Sequence, residues 1–194
     1  MNAPGGFATL LGLVHHFSPT GQEQDAVCWL VAHMQALGFT RTLVDGVGNA
    51  IGVMGEGPRQ LILLGHIDTV PGEIPVRVEG DLLYGRGSVD AKGSLAAFVD
   101  AVAGVGPLPG WQVVVIGAVD EEGGSRGAWY LTGHYKPDLA IVGEPNHWNR
   151  IALGYRGGLW FEYQVRRALN HTASGQESAC EAAVGFWNRL KAHC

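Results

Sequence analysis

Cysteine is scarce in this chain. Cys28, Cys180 and Cys194 are the only ones in 194 residues, an odd number with no Cys-x-x-Cys pair. That excludes a disulfide framework and a cysteine-zinc site, and Cys28, inside an apolar helical pattern, reads as a core thiol. Basic residues are thin as well: 13 Lys and Arg stand against 18 Asp and Glu, for a formal net charge of −5. No basic block exists, which argues against nucleic acid and anionic membranes as partners. No apolar run is long enough to cross a bilayer, and MNAPGGFATLLGLVHHFS has no basic leader. Neither a membrane span nor a signal peptide is expected, and the reducing cytoplasm is the expected location. Phosphate-binding motifs are also missing. GRGSVDAKGS at 85–94 follows Lys92 with Gly93 instead of Ser or Thr, and Asp90 stands where a dinucleotide fingerprint needs its last glycine. A Gly-x-Ser-x-Gly nucleophile motif does not occur.

What is present is an ordinary globular composition, 46% hydrophobic and 16% charged, with 30 glycines set in short loops. Residues 5–17 have a helical apolar pattern closed by His15 and His16, which suits the negative end of the helix dipole. In SPTGQEQDAVCWLVAHMQALGF, Thr20 and Glu23 have capping-box spacing, Ala26, Leu30, Val31 and Met34 share a helical face, and Gly38 is a stop signal. Residues 40–54 predict two strands around a glycine-rich turn. VRVEGDLLYGRG at 76–87 predicts a hairpin turning at Gly80-Asp81. Helices are expected over 91–106 and about 125–132. LILLG at 61–65, WQVVVIGAV at 111–119 and DLAIVGEP at 138–145 are continuous apolar runs, the pattern of strands covered on both faces. The expectation is an α/β fold: a mixed, mostly parallel sheet with helices on both faces. LWFEYQVRRAL at 159–169 alternates like a strand with one wet face, and SACEAAVGFWNRLKAH at 178–193 is an amphipathic helix with Ser178 and Glu181 as a capping box. These predict the first strand and helix of a second, α+β unit. The expected division is 1–154 and 155–194, with the second unit incomplete and the chain part of a longer protein.

Three of the expected buried strands run into titratable groups: His66 and Asp68, then Glu121 and Glu122, then Glu144. Asp90 precedes a helix. Ligands bind beyond the carboxyl ends of strands in open α/β sheets, so parallel neighbours would bring these groups to one edge. Each has a bland reading alone: a satisfied core histidine, a solvated acidic loop, a helix cap. Together they are five carboxylates and one histidine with only Arg86 and Lys92 interleaved. Like charges at short range do not all stay ionised without a counter-ion. A divalent metal supplies it, and His with carboxylate donors suits zinc, with cobalt or manganese as alternatives.

The stretches GHIDTVP, GRGSVDAKG, DEEGGS and VGEPN, in this order and spacing, resemble the M20 family of dinuclear zinc peptidases and deacylases. The resemblance spans essentially the whole chain and implies a zinc-peptidase-like catalytic domain followed by the start of a lid domain. It implies that His66 and Glu144 bind a first metal, Glu122 a second, and that Asp90 bridges both. Asp68 would hydrogen-bond the other nitrogen of His66, and Glu121 would be the general base toward a metal-activated water. Asp90–Ala91 matches the family's non-proline cis peptide. His171, in NHTAS, matches a lid histidine that polarises the scissile carbonyl, often across a homodimer. The family's second metal takes a further histidine from beyond the lid, which these 194 residues do not include, so the chain alone is expected to turn over little or nothing.

Within the family, the wording around residues 65–101 is most similar to hydrolases that release lysine or ornithine from an acidic amino-group carrier protein in lysine and arginine biosynthesis. Arg150, Arg156, Arg166 and Arg167 would then face a carboxylate or the carrier, with Arg156 as the candidate substrate contact; a plain solvated face is the alternative. An acetylornithine or acetyl-lysine deacetylase, or a non-catalytic metal-binding module, remains open.

Overall fold

Residues 111–118 (WQVVVIGA) form the strand around which the rest of the fold is arranged. The computed structural model describes residues 7–147, 149–155, 157–158, 160–169, 171 and 175–193. They contain two compact units, 1–151 and 152–194.

The first unit holds α1 (Ala8–His15), α2 (Gln24–Ala36), β1 (Arg41–Val44), β2 (Ala50–Met54), β3 (Arg59–His66), β4 (Arg77–Glu79), β5 (Leu82–Tyr84), α3 (Lys92–Val105), β6 (Trp111–Ala118), α4 (Arg126–His134) and β7 (Leu139–Val142). The five-stranded sheet has the order β1-β2-β6-β3-β7. β1, β2 and β6 pair antiparallel, while β6, β3 and β7 are parallel neighbours. β4 and β5 form a separate hairpin that turns at Gly80, whose φ of 60° favours glycine.

The period of two along β6 divides the core. Val113 and Val115 pack with Leu13, Leu30, Leu95 and Val99 from α1, α2 and α3. Val114 and Ile116 face the other way, against Ile51, Ile62 and Leu131 of α4. Helices thus cover both faces, and each fully buried Val or Ile contributes about 1.5–3 kcal/mol.

Four expectations change. β7 is an edge strand, paired only with β3 in the sheet, and its Leu139, Ile141 and Val142 are exposed. Cys28 is exposed, since α2 turns Ala26, Val27, Leu30 and Met34 inward instead. Thr20 and Glu23 do not form a capping box. The helix begins at Gln24, the Glu23 carboxylate folds back onto the Gly21 N–H at 2.8 Å, and the Thr20 hydroxyl is used elsewhere. Residues 160–169 contain no strand: among the described residues of the second unit no strand offers them a hydrogen-bonded partner, and alternation alone does not make a ladder. The helix of that unit forms as expected. α5 (Ala179–His193) has its reciprocal cap, Ser178 N–H to Glu181 Oε2 at 2.7 Å and Glu181 N–H to Ser178 Oγ at 3.2 Å.

Candidate metal centre

The parallel register brings the strand ends together. His66, the last residue of β3, is level with Ala118 of β6. Leu64 pairs with Val142 of β7, so His66 and Glu144 each lie two residues past that pair. After β6 the chain turns sharply at Asp120, with φ of 64°, and its carbonyl takes the Ser125 N–H at 2.6 Å. The Asp120 carboxylate accepts the Arg126 N–H at 3.2 Å, which caps the start of α4. This turn holds Glu121 and Glu122 over the end of the sheet.

Asp90 arrives from the loop ahead of α3, and the Asp90–Ala91 peptide is cis. The loop is tight at Gly87, where φ is 79° and a Cβ would stand 2.7 Å from the Thr69 methyl. Lys92 enters the helix fully buried, and its ammonium donates to the carbonyls of Leu13 and His16 at 3.0 and 2.9 Å. Burial lowers its pKa to about 8, with the Asp68 charge pulling the other way.

The imidazole of His66 is buried. Its Nδ1 is 2.9 Å from the main-chain oxygen of Asp68 and 3.5 Å from the carboxylate Oδ1. Its Nε2 looks out at Asp90 Oδ1, 3.2 Å away, and Glu121 Oε2, 3.9 Å away. Burial disfavours a charge on the ring, but Asp68, Glu121 and Glu144 outweigh it and raise the pKa to about 9.

Asp68 does more than the resemblance implies. Its Oδ1 accepts the Glu121 N–H at 3.0 Å; its Oδ2 accepts the Glu122 N–H at 3.1 Å and the Thr20 hydroxyl at 2.8 Å. Burial alone would raise its pKa, yet His66, Thr20 and these two N–H groups hold it below the usual carboxylate range.

The carboxylates on the open side of the site behave oppositely. Burial and the neighbouring Asp90 raise the pKa of Glu122, and burial and its acidic neighbours raise that of Glu144, in each case against the pull of His66. His66, Asp90 and Glu122 each offer a donor atom, all within 4.8 Å of one another. Glu144 stands outside that tight group but is near enough to feel His66, Asp90, Glu121 and Glu122. A buried imidazole with one nitrogen anchored, facing carboxylates held against their mutual repulsion, is a donor set that fits a divalent metal ion. Beside it lies a cavity of about 360 Å³ lined by Thr69, Arg86, Ser88, Asp90 and Glu122 among others. His171 belongs to the second unit, ahead of α5, and Arg156 lies outside the described residues.

Sequence reasoning missed Thr20 and Lys92. Lys92 left a signal: it shares helical spacing with Leu95, Ala96, Val99 and Val102, so it had to lie on the buried face. Thr20 left only a misleading one, because the same spacing from Glu23 suits a cap.

The model of peptidase family M20/M25/M40 matches residues 62–189. A protein of Deinococcus radiodurans named LysW-lysine hydrolase is 44% identical over 178 residues, which are 90% of this chain and 49% of that protein. One of Saccharolobus islandicus named LysW-lysine/LysW-ornithine hydrolase is 37% identical, over 87% of this chain and 48% of its own. The chain thus spans about half the length of these curated relatives. Among solved structures, a tripeptidase from Staphylococcus aureus superposes with a TM-score of 0.53 at 25% identity, over 69% of this chain and 41% of its own. A dipeptidase from Saccharomyces cerevisiae, at 17% identity, shares the fold with a TM-score of 0.59 over 70% of this chain and 37% of its own. Among the described residues no helix is long and apolar enough to cross a membrane. With His66, Asp68, Asp90, Glu121, Glu122 and Glu144 all inside the matched region, the chain belongs to peptidase family M20/M25/M40.

Proposed function

We propose that this chain carries the metal-binding part of an amide hydrolase that releases lysine or ornithine from an acidic amino-group carrier protein in the cytoplasm. The observation that carries the chemistry is the convergence of His66, Asp90 and Glu122 within 4.8 Å, with Glu121 Oε2 3.9 Å from the His66 ring. The substrate comes from the relatives' names at 44% and 37% identity.

The residues divide the work. Asp68 and its main-chain oxygen hold the His66 ring so that Nε2 is left for a metal ion. His66 and Glu144 would hold one ion and Glu122 a second, with Asp90 able to donate to both; zinc is the proposed ion, with cobalt as a substitute. The bound ions supply Lewis acidity, lowering the pKa of water and offsetting charge on the carbonyl oxygen. Glu121 takes a proton from the attacking water and delivers it to the leaving amine nitrogen, so the proton count closes on one side chain. His171 hydrogen-bonds the carbonyl oxygen, from the lid of the same or a dimeric partner chain. Arg156 meets the substrate carboxylate.

Joining this chain to the second half of the Deinococcus radiodurans relative tests the reading. The hybrid should release lysine from a γ-glutamyl-lysine carrier conjugate, and Glu121→Gln should reduce kcat by at least roughly 100-fold. Faster cleavage of acetyl-lysine or acetylornithine than of the conjugate would favour a deacetylase. Binding of zinc by the 194-residue chain without turnover by any hybrid would leave a metal-binding module. Full turnover by the 194 residues alone would overturn the view that the site needs more of the protein.

A further inference from the structure

We infer that Thr20 is a positioning residue of this site, acting through Asp68 on the placement of Glu121 and Glu122. The inference deepens the metal-hydrolase reading and rests on it for its purpose, though not for its geometry.

Residues 18–20 are laid along the end of β3 like a short added strand. The Ser18 hydroxyl donates to Ile67 O at 2.7 Å, the Thr69 N–H to Ser18 O at 2.9 Å, and the Thr20 N–H to Thr69 O at 3.1 Å. Pro19 and Thr69 pair there as a parallel bridge. The main chain therefore fixes where the Thr20 hydroxyl stands, and it stands 2.8 Å from Asp68 Oδ2.

Asp68 is fully buried, and its remaining donors belong to His66 and to the main chain of the two glutamates. Oδ2 is shared between Glu122 N–H and Thr20, while Oδ1 accepts the Glu121 N–H and lies 3.5 Å from the imidazole Nδ1. Thr20 gives Oδ2 a second and shorter donor, which holds the carboxylate plane more firmly than the two N–H groups alone. Without it, Oδ2 keeps only the Glu122 N–H, and the carboxylate is held less firmly against turning toward His66. That turn would loosen the N–H anchors of the base and of a proposed ligand together. The Thr20 methyl also lies close under the turn, 3.0 Å from where a Cβ on Gly123 would stand. The α1–α2 linker is thus part of the site's frame, although it supplies no donor atom to a metal.

Thr20→Val keeps the shape and removes the donor; Thr20→Ser keeps the donor. In the 194-residue chain, amide hydrogen exchange at Glu121 and Glu122 should be at least roughly 10-fold faster in Thr20→Val than in wild type, and near wild type in Thr20→Ser. Exchange along β6 should stay unchanged. Zinc affinity, measured by chelator competition, should fall about 10-fold in Thr20→Val and be restored in Thr20→Ser. Unchanged exchange at both glutamates in Thr20→Val would overturn the inference, as would a rise spread evenly along β6. If no variant binds zinc, the metal reading fails, and the exchange result still decides the role of Thr20.

Discussion

His66 and Asp68 leave 2% and 0% of their side chains exposed, whereas Asp90 and Glu121, within 4 Å of the same imidazole, leave 59% and 44%. The two sides of the site are held by different means. On the buried side both carboxylate oxygens and the main-chain oxygen of Asp68 have partners, and the geometry is set when the sheet and the α1–α2 linker fold. On the open side the carboxylates of Glu122 and Glu144 are pushed up in pKa by burial and by acidic neighbours that include Asp90 and Glu121. Folding positions these groups without relieving their repulsion. The buried half is a structural element that aims an imidazole; the exposed half is a set of charges that gains from an added cation.

The largest test of that contrast is Asp68→Ala. It removes the carboxylate facing a buried imidazole and leaves the N–H groups of Glu121 and Glu122 without their acceptor, and should lower unfolding stability by about 3–5 kcal/mol in urea titrations. A loss below about 1 kcal/mol would place Asp68 with the ordinary surface carboxylates. The next effect follows from pH. His66 has a folded pKa of about 9 against 6.5 unfolded, so its contribution to stability is complete below 6.5 and is lost as pH rises through 9. The metal-free chain should lose up to about 3 kcal/mol over that range. The loss should be steepest below pH 8, because Lys92, with its pKa lowered to about 8, runs the other way above it. Zinc affinity should rise over the same interval, since the ion competes with the proton on His66. A metal-free stability that is flat from pH 6.5 to 9 would remove the imidazole charge from the account.

Much of this was legible in the sequence because the site sits where periodicity breaks. LILLG is an apolar strand that runs into His66 and Asp68, two titratable groups that do not belong in an apolar core, so a polar rim could be inferred from the sequence. The parallel order of β6, β3 and β7 then placed Glu121, Glu122 and Glu144 on that rim. Bonds across long sequence separations were not legible. Thr20 meets Asp68 across 48 residues, and nothing in a local pattern distinguishes that hydroxyl from a helix cap. The exposure of β7 was hidden for a related reason: an apolar run reports what a strand can bury, while neighbouring elements decide what it does bury.

Zinc gives the third test. At a free concentration 100 times its dissociation constant, the ion should stabilise the chain by about 2.7 kcal/mol, read as a shift in the urea midpoint. Asp90→Asn should remove most of that shift while leaving metal-free stability near wild type, because Asp90 is exposed and an asparagine oxygen can still meet His66 Nε2, 3.2 Å away. An equal shift in the variant would mean that the ion binds elsewhere.

The smallest effect is the most discriminating, because its sign differs between the two halves. Glu122 is exposed, and its raised pKa reflects burial and the carboxylates of Asp90 and Glu121. Its N–H, not its side chain, bonds Asp68, so Glu122→Gln leaves the buried network intact. Without metal, removing that charge relieves repulsion and should stabilise the chain by no more than about 0.5 kcal/mol at neutral pH. The gain should shrink as salt is added, since exposed charges are screened over about 8–10 Å at physiological ionic strength. With zinc present the sign should reverse, because the substitution removes one of the converging donors. A metal-free cost in place of a gain would make Glu122 a structural partner like Asp68, and the two halves of the site would no longer differ in kind.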